Sequence, residues 1–202
     1  LMAGVPEGGQ VLKLWSMESI SSGWTEVGPT VPASAVLAAG IRRGGSSLWV
    51  LVRTESGLAL AQAAPDAESF ELLPVDAWAE PGSFAAFDPG GGFYLWHACD
   101  RERFSYVEFI ALDGTTRLDP LDQPETCMSY GAAVMPDSET MVAMSGIDRE
   151  GRIGGTYVFD AVGGVWQRRE VAGSGSPGAV ARPGLAGVSS RGVFAYSGVD
   201  QA

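Results

Sequence analysis

The chain has 202 residues, 46% of them apolar, which is enough to bury a core and excludes a disordered or low-complexity protein. Its formal net charge of −11, with a single lysine at Lys13, argues against nucleic acid and anionic membrane surfaces as partners, since both favour basic patches. No apolar run approaches the roughly 18 residues of a membrane span, and the first residues lack the basic and apolar regions of a signal peptide.

The 28 glycines and 12 prolines are spread along the chain, as expected for many short strands joined by tight turns, and helical periodicity is nearly absent. In chain order, residues 10–28 predict two strands, Val11 to Met17 and one beginning at Trp24. Residues 32–75 predict four: Pro32 to Ala39, Leu48 to Glu55, Leu58 to Ala64 and one from Phe70. Residues 81–121 repeat the series with Pro81 to Asp88, Phe93 to Asp100, Tyr106 to Asp113 and a strand from Thr116. Residues 127–171 repeat it again with Ser129 to Pro136, Met141 to Asp148, Thr156 to Val162 and a strand from Trp166. Residues 183–202 then supply only Pro183 to Ser190 and Val193 to Asp200.

Each second strand is an apolar run ending in a carboxylate, and Glu55, Asp100, Asp148 and Asp200 follow one another at steps of 45, 48 and 52 residues. A period of this size in an all-β sequence belongs to propeller blades. The small-residue first strands suit the crowded centre of such a ring, and the aromatic starts of most fourth strands suit the wedges between blades. The two partial units are complementary. Joining 183–202 with 10–28 predicts a single-domain, four-bladed β-propeller over residues 1–202, its last blade closed by N- and C-terminal strands. A β-sandwich of the same strands is the alternative.

Between Met141 and Val171 the apolar strand, the small pair Ser145-Gly146, Tyr157 and Trp166 resemble a kelch repeat. The resemblance extends to Ser197-Gly198, whereas the other two units carry Val52-Arg53 and His97-Ala98 in place of the pair, and a kelch pair is two glycines. In size and closure, but not in sequence pattern, the chain is similar to hemopexin-like four-bladed domains. The resemblance implies an architecture and no activity.

The candidate chemistry follows from the repeat. Glu55, Asp100, Asp148 and Asp200 at equivalent positions would gather on one face, where a hard cation such as Ca2+ could bridge them; otherwise each caps a hairpin turn. Trp96 and Tyr196, at equivalent second-strand positions, could form an aromatic ligand platform, and Arg101 and Arg149 add cations beside the acids. Core packing and surface ion pairs are the corresponding structural readings of these residues. Cys99 and Cys127, the chain's two cysteines, fall on one face of neighbouring blades, where a disulfide would imply an oxidising compartment and so an extracellular, periplasmic or cell-surface location. His97, the single histidine, reads as a packed or interblade residue.

The motifs DxDxDG, HExxH, GxSxG and paired CxxC are absent. The sequence therefore points to a monomeric, non-enzymatic recognition module that docks a protein or glycan through one propeller face. A carbohydrate-binding lectin, a carbohydrate hydrolase or lyase using two ring carboxylates, and a structural segment of a larger surface protein are the competing readings.

Overall fold

A computed structural model describes residues 2–4, 9–16, 21–99, 106–118, 129–144, 156–160, 165–169, 184–188 and 192–196. These residues form antiparallel sheets, and no helix occurs among them. The first sheet holds β1 (Met2–Gly4), β2 (Val11–Ser16) and β3 (Thr25–Pro32) in that order. The second runs β4 (Ala35–Ile41), β5 (Leu48–Thr54), β6 (Gly57–Ala63), β7 (Glu71–Val75), and the third runs β8 (Phe84–Asp88), β9 (Gly92–Trp96), β10 (Val107–Ala111), β11 (Thr116–Leu118). The fourth contains β12 (Ala132–Val134), β13 (Thr140–Met144), β14 (Thr156–Asp160) and β15 (Val165–Arg169). Finally β16 (Gly184–Val188) pairs with β17 (Gly192–Tyr196).

The expected join of residues 183–202 to residues 10–28 is not the pairing observed. One edge of β2 is taken by β3 and the other by β1, with Met2 opposite Trp15 and Gly4 opposite Lys13. Three residues at the start of the chain carry too little periodicity to read as a strand, so β1 was invisible to the pattern. Among the described residues β16 and β17 form a two-stranded sheet of their own.

Successive sheets lie side by side, each first strand packed near the next: β1 by β4, β4 by β8, β8 by β12 and β12 by β16. The crowding explains the small residues there. A Cβ added at Gly40 of β4 would stand only 2.0 Å from the Phe87 ring of β8.

This stacking also explains why the second strands are apolar on both faces. In β5, Val50 and Val52 pack with Leu12, Leu14 and Val31 of the first sheet, whereas Leu51 points the other way, into a cluster with Phe87, Phe93 and Leu95 of the third. In β9 the same alternation sends Phe93 and Leu95 toward the second sheet. Tyr94 and Trp96 then face Met141, Ala143 and Tyr157 of the fourth. Fully burying one such leucine contributes about 1.5–3 kcal/mol, so each interlayer cluster is a principal source of stability.

Candidate functional site

The antiparallel order places the β5–β6 turn, the β7–β8 connection and the segments entering β8, β10 and β12 at one end of the sheets, called here the hairpin end. Glu55 lies at this end, at the exposed tip of the β5–β6 hairpin. The turn is closed by Thr54, whose hydroxyl donates to the Gly57 carbonyl at 3.0 Å, with Gly57 at φ 131. Turn capping by carboxylates occurs instead in other turns. Asp88 accepts from the Gly90 N–H at 2.7 Å, and Asp137 accepts from the N–H groups of Glu139 and Thr140.

β5 ends at Thr54, one residue before Glu55, and β9 ends at Trp96, four residues before Asp100. The expected run from Phe93 to Asp100 yields a five-residue strand, Gly92–Trp96. Asp100, Asp148 and Asp200 lie outside the described residues, as do Arg101, Arg149 and Cys127. Among the described residues no group of three or more His, Cys, Asp or Glu side chains is arranged to hold a metal ion.

Trp96 is not a surface platform. It is 1% exposed and stacks on Phe84 with ring centroids 5.3 Å apart, because strand alternation turns it into the layer between the third and fourth sheets. Tyr196 is the last residue of β17, and its side chain lies outside the described residues. Among the described residues the large aromatics displayed to solvent at the hairpin end are two others, while Trp24, 50% exposed, lies at the opposite end. Trp78, in the β7–β8 connection, is 64% exposed, and Tyr130, just before β12, is 36% exposed. Tyr130 has φ 60, a left-handed conformation rare for an aromatic residue, and its N–H donates to the Gly82 carbonyl at 2.7 Å.

Between the second and third sheets the hairpin end is filled by a polar network. His97, also 1% exposed, places Nδ1 3.3 Å from Glu80 Oε2 and Nε2 3.0 Å from Glu108 Oε2, and its ring stacks on Tyr106 at 3.9 Å. Both nitrogens donate only in the imidazolium; with a neutral ring, one carboxyl must supply the other hydrogen. Ser83 Oγ donates to the same Glu80 oxygen at 3.3 Å and accepts from the Ala98 N–H at 3.0 Å. The Arg53 guanidinium reaches across from β5 to the Glu80 carbonyl at 2.9 Å.

Cys99 continues this segment; it is disulfide-bonded, and its carbonyl accepts from Ser129 Oγ at 3.4 Å. Sequence reasoning placed His97 as a packed residue but missed Glu80, Glu108, Ser83, Tyr106 and Arg53 as its surroundings. A signal was present. The two units that lack a small pair within the second-strand run carry Arg53 and His97 there, and both side chains bond Glu80 in the connection between the second and third sheets.

Between the first and second sheets the same end is open. A cavity of about 480 Å³ lies there, its apolar lining including Pro32, Ala33, Ala59, Leu72 and Pro74. Its polar lining comes from Gln10, Ser34, Thr54, Ser56 and Glu55. Ser34 connects this rim to the filled junction, since its N–H and hydroxyl both donate to the Arg53 carbonyl, at 2.7 and 3.2 Å.

These features define an all-β protein of side-by-side antiparallel sheets with a recessed cavity and exposed aromatics at one end. No protein-family model and no curated protein matches the sequence. The fold is similar to solved structures, among them one described as the structure of YjhT, with a TM-score of 0.61 and 12% sequence identity. The similarity covers 90% of this chain and 65% of that one, so the chain spans about two thirds of YjhT. At this identity the likeness concerns the fold alone. No helix among the described residues is long and apolar enough to cross a membrane.

Proposed function

We propose that the sheets are blades of a kelch-like β-propeller and that the chain is a non-enzymatic recognition module docking a partner protein through the hairpin end. The observation that carries this reading is the display of Trp78 and Tyr130 to solvent at one end of a rigid scaffold. Aromatic side chains of this kind are enriched at protein interfaces, where they bury a large area at small entropic cost. The backbone strain at Tyr130 adds to it, because strained residues persist where the surroundings hold them, often at ligand clamps. The disulfide at Cys99 supports an extracytoplasmic location for this function.

The same aromatics favour a glycan as the second reading, with Trp78 and Tyr130 taking the part expected of Trp96 and Tyr196. Site-specific photo-crosslinking separates the readings. Benzoylphenylalanine at position 78 should capture a discrete protein in an extract of the source organism, and the same group in place of Arg43, near the opposite ends of the strands, should not. Equal capture at both positions, or adducts only with glycans, would refute protein docking at this end.

A further inference from the structure

We infer that the cavity between the first and second sheets is a receptor for a basic side chain, an arginine presented by an extended segment of a partner protein. The inference deepens the recognition reading and rests on it. Three properties of the lining select the ligand. The apolar lining, which includes Pro32, Ala33, Ala59, Leu72 and Pro74, accepts a hydrocarbon stem. Among the described residues the one charged group of the lining is Glu55, and no ion pair engages its carboxylate. Among the described residues no lysine, arginine or histidine lines the cavity, so none of them would hold a phosphate or carboxylate there.

A side chain with an apolar stem and a cationic head fits this layout, the stem lying on the apolar lining while the head reaches the rim. Arginine fits better than lysine because its planar fork can engage a carboxylate with two parallel hydrogen bonds while its remaining donors meet hydroxyl or amide oxygens. Thr54, Ser56, Ser34 and Gln10 offer such oxygens. The volume of about 480 Å³ lies within the ordinary range for ligand pockets. The lining has no aromatic ring, which disfavours a sugar here. The net charge of −11 draws a cationic segment toward the protein as a whole.

Strand addition is the less suitable mode of docking. β7 is the outer strand of the second sheet, but its Pro74 has no N–H to offer an incoming strand. The partner is therefore held through its side chain.

The test uses fluorescence anisotropy with a short labelled peptide carrying one central arginine between leucine and proline, its citrulline analogue, and spermidine as competitor. The wild-type chain should bind the arginine peptide and not the citrulline one. Glu55→Gln should weaken binding about tenfold, as for loss of one hydrogen bond to a charged group. Leu72→Arg, at an exposed position, should abolish it by placing a resident cation in the cavity without altering the melting temperature. Glu71→Gln, on the same strand but outside the lining, controls for general charge and should bind as wild type.

Equal binding of the citrulline peptide, or an undiminished Glu55→Gln, overturns the assignment. Competition by spermidine at concentrations equal to the peptide overturns the peptide as ligand in favour of a small polyamine. Should the cavity variants have no effect while position 78 still captures a protein, the cavity assignment falls and the recognition reading stands. If the chain neither binds peptide nor yields an adduct, both fall.

Discussion

The second sheet makes two junctions at the hairpin end, and they are filled in opposite ways. Toward the third sheet, the space is occupied by Arg53, Glu80, Ser83, His97 and Glu108, linked by hydrogen bonds of 2.9–3.3 Å around a ring that is 1% exposed. Toward the first sheet, a cavity of about 480 Å³ remains, lined by aliphatic side chains and one carboxylate. The layers behind both junctions are equally well packed, with Leu12, Val50, Leu51, Leu60 and Leu95 at 0% exposure. The contrast therefore concerns the ends of the strands and not the core. A filled junction rigidifies the scaffold, because each buried polar group is costly unless its partners stay in place. An open junction between rigid walls leaves a preformed recess, which binds with little ordering cost.

Substitutions on either side of this contrast should differ in sign as well as size. The largest effect is expected one layer beyond the filled side, between the third and fourth sheets. Trp96→Ala removes a buried ring stacked on Phe84 and should destabilise the fold by about 3–5 kcal/mol, read from denaturant midpoints at constant slope. Next comes the network itself. His97→Ala leaves the Glu80 and Glu108 carboxylates without their shared partner and should cost about 2–3 kcal/mol by the same measurement, while His97→Gln, able to keep one bond, should cost less. If His97→Ala were neutral, the filled junction would be no more rigid than the open one.

On the open side the sign reverses. Ala59→Val adds apolar volume to a strand position in the cavity lining and should raise stability by about 0.5–1 kcal/mol, while weakening any ligand that uses the recess. The smallest change is expected from the exposed pair on the first sheet. Lys13 Nζ lies 2.9 Å from Glu26 Oε2 with both side chains well solvated, and Lys13→Ala should shift stability by less than about 1 kcal/mol, a shift that salt further reduces.

The turns away from this contrast supply a pH test. Asp113 accepts from the Thr115 hydroxyl at 2.6 Å and from the Thr115 N–H at 3.0 Å, and these bonds hold its carboxyl below the ordinary 3.8. A folded value below the unfolded one means that the stabilisation is present above pH 3.8 and is lost as pH falls through the lower folded value. Asp113→Asn should flatten that acid limb, and an NMR titration of the carboxyl carbon checks the direction.

Much of the strand plan was legible because both faces of the second strands are apolar, a pattern only stacked layers require. The runs beginning at Leu48, Leu58, Ser129 and Thr156 fall on β5, β6, β12 and β14. Less legible was where strands stop. β9 ends at Trp96, although the His97 N–H still bonds the Tyr106 carbonyl, and nothing in the run from Phe93 to Asp100 marks that point. Glu55 directly follows its strand, whereas Asp100 comes four residues after the end of β9. Trp96 was misread for a related reason: period-two alternation assigns a side chain to a face, but not whether that face meets solvent or another sheet.

Sequence alone thus determined the all-β class, the repeated four-strand unit and the acidic character, since these follow from local periodicity, turn residues and charge, all written in neighbouring residues. Tertiary structure decided that β1 and not the chain's end occupies the edge of β2, that Trp96 is core, and that one junction is filled while the other is open. Those outcomes depend on segments far apart in the chain. Gln10, Ser34, Glu55 and Leu72 line one cavity, and Arg53, Glu80, His97 and Glu108 share one network. Which distant side chains meet is fixed by how whole sheets pack, and local periodicity does not encode it.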